Sequence, residues 1–110
     1  MFSPIAEAPY YAVIFSTRLS ASNHGYEEMA EKMLKLASQQ EGFLHVESVR
    51  DESGKGVTVS YWRDLESIAN WKQCSEHLQA QQQGKTKWYE YYRLQICRVE
   101  REYGFEANLK

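Results

Sequence analysis

Lys55–His77, KGVTVSYWRDLESIANWKQCSEH, is the stretch whose reading decides the fold. GVTVSYW is the most strand-like run in the chain, because its β-branched and aromatic residues favour a pleated, extended backbone. Arg63 and Asp64 break the alternation, and the pattern turns helical at Leu65, Ile68, Ala69 and Lys72. Asp64 is positioned as an N-cap, since its carboxylate can accept from the unpaired N–H groups of the first turn. Tryptophans, one asparagine and one histidine flank this strand-to-helix corner, which marks it as the place for a small-molecule pocket.

Working outward, residues 1–9 hold both prolines and read as an arm, and Tyr10–Leu19 is a strand apolar on both faces over most of its length. Ser20–Asn23 is a polar turn, with Ser22 or Asn23 as the cap of the helix that follows. Tyr26, Met29 or Ala30, Met33, Leu36 and Ala37 recur at helical spacing, with Glu and Lys opposite. A methionine stripe of this kind is core. FLHVESVRD and KGVTVSYWR are then strands joined by the turn residues Asp51–Gly54. Pairing Arg50 with Lys55 turns Leu44, Val46, Ser48, Val57, Val59 and Tyr61 to the helices. The same register turns Phe43, His45, Glu47, Thr58, Ser60 and Trp62 outward.

Beyond the corner the helical pattern continues past a break near Cys74 and Ser75, through SEHLQAQQQGKTKWYEYY. Trp71, Cys74, Leu78, Gln81, Lys85, Trp88 and Tyr92 fall on one side, with Asn70, His77 and Gln81 as a polar edge. A last strand carries Leu94 and Ile96 on one face and Cys97 and Val99 on the other. The Arg98–Glu102 charge run reads as a solvated strand end, and residues 106–110 as a loose tail.

Strand, helix, strand, strand, helix, strand is the α+β order of a ferredoxin-like βαββαβ sandwich, spanning residues 10–105 as one domain. Its four-stranded antiparallel sheet carries both helices on one face. The other face needs cover, and a second copy supplies it, which predicts a homodimer burying Phe43 and Trp62.

The 110 residues fit one core, and a net charge of −2 without a basic face argues against nucleic acid. No apolar run reaches the roughly 20 residues of a membrane helix, and the N-terminus lacks the pattern of a signal peptide. Cys74 and Cys97 have no metal spacing and read as free thiols of a cytoplasmic protein. Fifteen aromatic residues exceed what one small core hides, which points to a cavity or an aromatic surface.

The element order, the corner YWRDLESIANW and the long final strand resemble the antibiotic biosynthesis monooxygenase family of dimeric α/β barrels, over roughly Tyr10–Gly104. The resemblance implies a pocket between helices and sheet within each subunit. For the members that use no metal or flavin, it implies a substrate anion that reacts directly with oxygen. In the haem-degrading members a histidine about ten residues after the helix tryptophan binds iron. Here Trp71 matches that tryptophan but Gln81 or Gln82 stands in the histidine's place, so haem is disfavoured and no cofactor is expected.

Within that frame His77 is the candidate catalytic base, its imidazole exchanging protons near neutral pH, against the plain role of a helix histidine bonded to its neighbours. Asn70, Trp71, Tyr61 and Gln81 are the candidate binding residues for a small hydrophobic or aromatic ligand. His45 and Glu47 share a strand face, where a polar interface network outweighs a metal site. A non-catalytic ligand-binding or assembly dimer is the rival reading.

Overall fold

The computed structural model describes residues 2–82 and 88–107. The elements run β1 (Tyr10–Leu19), α1 (Tyr26–Ser38), β2 (Phe43–Arg50), β3 (Lys55–Trp62), α2 (Leu65–Gln82) and β4 (Tyr89–Val99). The strands form one antiparallel sheet in the order β2-β3-β1-β4. This is the ferredoxin-like α+β arrangement. Both helices pack on the same side, because Ala37 of α1 and Ile68 of α2 meet Val13 and Trp62 of the sheet in one buried cluster. Tyr11, Phe43 and Trp71 close around it.

The corner is built from the atoms its sequence offers. The Ser67 amide donates to Asp64 Oδ1 at 2.8 Å, so Asp64 caps α2. The Arg63 amide donates to the Gly42 carbonyl at 2.8 Å, tying the start of β2 to the end of β3. Gly42 has φ of +87°, and a Cβ there would stand 2.0 Å from Ser67 Oγ, so this position admits only glycine. In the β2–β3 turn Asp51 Oδ1 accepts from the Ser53 amide at 2.9 Å and the Lys55 amide at 3.2 Å.

Three local expectations are corrected. Neither Ser22 nor Asn23 caps α1: the N-cap is Gly25, and Asn23 spends its amide on the Ser20 carbonyl at 2.9 Å, closing the preceding turn. The helical pattern expected through Tyr92 stops earlier: α2 spans Leu65–Gln82 and Trp88 is helical, but β4 starts at Tyr89. Within that stretch Lys85 lies outside the described residues.

The third correction is the largest. Phe43 pairs with Trp62 as expected, but the ladder then shifts, so that His45 faces Tyr61 and Arg50 faces Gly56. The Phe43–Trp62 pair itself faces the other way from the expectation: Trp62 points to the helices, fully buried against Ala37 and Ile68, and does not lie on an outward, dimer-forming face. Phe43 packs edge-on against it, with centroids 5.5 Å apart. The polarity that argued against this face is satisfied internally: Trp62 Nε1 donates to Ser60 Oγ at 2.8 Å, and the Ser48 and Thr58 hydroxyls are 2.7 Å apart. Tyr61 lies on the opposite face, the reverse of the expected orientation.

The N-terminal arm is tied down on that opposite face. Glu102 accepts from the Ile5 amide at 3.0 Å and from the Tyr10 hydroxyl. Glu102 is thus more than a solvated strand end. Burial, followed by the Glu102 bond, pushes the Tyr10 phenol up to about 12.

Candidate functional site

Pairing across the sheet orders the helix-side residues in rows, since partners in a ladder share a face. From the corner downward the rows are Trp62–Tyr11, Ser60–Val13–Ile96, Thr58–Phe15–Leu94 and Gly56–Thr17–Tyr92. On β3 and β1 these positions lie under the helices. On β4 they do not: Ile96 is 49% exposed, Leu94 43% and Tyr92 45%. Among the described residues, then, the β4 half of the helix side is an uncovered apolar strip. At a rise of about 3.3 Å per residue it runs roughly 13 Å from Tyr92 to Ile96.

On the same side of the sheet, but over β3, Trp71 packs against the core cluster of Val13, Ala37, Trp62 and Ile68. Its ring stacks on Trp62, with centroids 6.2 Å apart and planes at 22°, and it is half-buried. Asn70 and His77 are seven residues apart, which puts them on one flank of α2 beside the inward stripe of Ile68, Trp71, Cys74 and Leu78. Helix rise separates them by about 10 Å. Both are exposed. Gln81 lies on α2, and its side chain is outside the described residues.

The lower end is aromatic. Phe15, Tyr89 and Tyr92 meet with centroids 5.7–6.1 Å apart, and Tyr26 packs edge-on to Trp88 and Tyr89 at 5.9 and 5.8 Å. Trp88 is core, and its Nε1 donates to the His24 carbonyl at 2.9 Å. Burial, then the neighbouring Tyr26 hydroxyl, holds the Tyr89 phenol well above its ordinary range. Tyr89 therefore stays protonated and serves as a hydrogen-bond donor at any ordinary pH.

Tyr61 belongs to a different place. It stacks on His45 with centroids 6.0 Å apart and stands edge-on to Tyr10, on the face away from Trp71. Burial, followed by the charges of Glu47 and Glu102, raises its phenol. His45 Nε2 approaches Glu47 at 3.4 Å on the same face. Nearby, a cavity of about 410 Å³ opens between Phe2–Ile5 of the arm and Leu44, His45 and Glu47, with Glu102 on its wall. Trp71, Asn70 and His77 have no part in that cavity. Among the described residues no three His, Cys, Asp or Glu side chains are placed to hold a metal ion. No helix among them is long and apolar enough to cross a membrane.

The sequence reasoning gathered Asn70, Trp71 and His77 onto one helix, and the structure keeps them there. It assigned no site role to the β4 strip or to Arg50. The alternation of Leu94 and Ile96 was the available signal for the first; nothing local signals the second.

The model of one family, antibiotic biosynthesis monooxygenase, matches residues 9–83. The chain belongs to the antibiotic biosynthesis monooxygenase family. It is 46% identical over 106 residues to the uncharacterized protein YqjZ of Bacillus subtilis (strain 168), covering 96% of this chain and 93% of that one. It is 31% identical over 94 residues to jasmonate monooxygenase ABM of Pyricularia oryzae, covering 81% of this chain but only 43% of that protein. Among solved structures it is similar to SnoaB, a cofactor-independent oxygenase from Streptomyces nogalater. The TM-score is 0.66 at 9% identity, with 91% of this chain and 100% of that chain covered. A likeness at that identity carries the fold of the family member and not its reaction.

Proposed function

We propose that the protein is a cofactor-independent monooxygenase acting on a small aromatic or enolic substrate in the helix-side groove. One observation carries this: among the described residues an apolar strip of Tyr92, Leu94 and Ile96 stays exposed on the same side of the sheet as the stacked pair Trp62 and Trp71. A planar ligand lying on that strip would bury its own apolar surface and that of β4 together. The family, with relatives named as monooxygenases, supports the reaction class.

In this reading His77 removes a proton from an acidic C–H or O–H of the substrate. Asn70 donates to the resulting anion, and Trp71 stacks on its ring. The anion then reacts with dioxygen; one oxygen atom enters the product carbonyl and the other leaves as water. Two copies closing their open sheet faces would complete the molecule, in the cytoplasm, where Cys74 and Cys97 remain thiols.

Oxygen uptake with anthrone and simple quinols, without added metal, flavin or haem, tests the proposal. Turnover is expected, with a fall of roughly 10²-fold or more in His77→Ala. No uptake from any of them, with apolar dyes still bound, would favour the second reading, a non-catalytic dimeric small-ligand-binding or assembly protein. The exposure of His77 in the single chain is the observation on that side. Haemin in the same assay distinguishes a haem-binding protein, for which a Soret shift lost in His77→Ala would be the sign.

A further inference from the structure

Arg50 sits at the end of the edge strand β2, yet its charge is delivered to the middle of the sheet. It faces Gly56 in the ladder, and Gly56 in turn faces Thr17 of β1. With no side chain at 56, the arginine lies flat across β3: a Cβ there would stand 2.6 Å from Arg50 Cζ. Its Nη2 then donates to Thr17 Oγ1 at 2.8 Å and to the Tyr26 hydroxyl at 2.9 Å, and Nη1 to the Gly54 carbonyl at 2.5 Å. The guanidinium carbon lies 5.1 Å from the centre of the Tyr26 ring. Thr17 pairs onward with Tyr92, the lower end of the uncovered strip.

The chemistry of this group is unbalanced. A guanidinium is charged at every ordinary pH, and taking it partly out of water is unfavourable without an anion beside it. Arg50 is half-buried, and among the described residues no carboxylate pairs with it. Its three bonds go to neutral oxygens and use three of five N–H groups. Tyr26 and Tyr89 add hydroxyls in the same aromatic cluster, and Tyr89 stays protonated. A hairpin clip alone would need neither a glycine opposite the arginine nor a cation carried across β3 to Thr17 of β1.

We propose that Arg50, with the Tyr26 and Tyr89 hydroxyls, is the anion-receiving end of the groove, and that the ligand is an aromatic or enolic molecule carrying a carboxylate. The inference rests on the groove reading above and adds the charged group the ligand must present. The apolar body lies along Leu94 and Ile96, and the carboxylate meets the cation at the Tyr92 end.

Calorimetric titration of the full chain with 2-naphthoate and with its neutral analogue 2-naphthylmethanol tests this. Wild type is expected to bind naphthoate roughly ten-fold more tightly, a preference that weakens with salt. In Arg50→Gln the preference should vanish while naphthylmethanol binds as before, and Arg50→Lys should retain part of it. Equal wild-type affinity for the two probes, or a preference that survives Arg50→Gln, overturns the inference and leaves the groove standing. If neither probe binds, the groove reading falls and this inference with it. Should Arg50→Gln fail to fold, the wild-type ratio and the Arg50→Lys variant decide.

Discussion

Asp64 shows how much one residue at the right place decides. Its carboxylate accepts from the backbone and side chain of Ser67, and those bonds, helped by Arg63, hold it below the ordinary carboxylate value of 3.8. A depressed folded-state pKa contributes stability that is fully present above that value and is lost as pH falls through the folded one. Asparagine caps a helix about as well but does not titrate. Thermal melts of Asp64→Asn should therefore show a flatter loss of stability below pH ~4 than wild type; parallel curves would contradict the cap. This residue was legible from the sequence, because a cap is a local event. Arg50 was not, because its reach depends on which residue stands opposite it, and no spacing along the chain records that.

At the scale of elements the same division holds. Strand and helix identities were legible wherever periodicity was strong, as in β3 and α1. The inward face of β3, and with it that of Phe43, was not legible; past the irregularity between Phe43 and His45 that shifts the ladder by one residue, Val46 and Ser48 lie on the helix side and His45 and Glu47 on the other, as expected. Which face of β3 the helices cover is invisible to alternation, which reads equally well either way up. It is decided by packing: burying Trp62 against Ile68 and Ala37 outweighs leaving Val57 and Val59 outside. Along the helix side, Ile68→Ala should cost about 2–5 kcal/mol in urea unfolding. Ile96→Ala on the uncovered strip should cost under about 1 kcal/mol. It should nevertheless weaken naphthoate binding. A large loss of stability in Ile96→Ala would mean that the strip is core and not groove.

For the whole molecule, the open face remains. Ile14, Val57 and Val59 lie on it half-exposed, and Val49 is 73% exposed. An exposed row of apolar side chains on a sheet face is a usual site of self-association, and a stable dimer buries on the order of 1,200–2,000 Å² in total. The account expects a dimer of the 12.9 kDa chain in sedimentation at micromolar concentration, converted to the monomer by Val59→Lys. A monomeric wild type would remove the second copy from the picture.

The central claim is that ligand lies on the helix side of β4, and methyl NMR during a naphthoate titration reads that directly. The account predicts that Leu94 and Ile96 methyl signals shift and broaden while those of Val57 and Val59, on the other face, stay in place. Shifts confined to Val57 and Val59, with Leu94 and Ile96 unmoved, would contradict it.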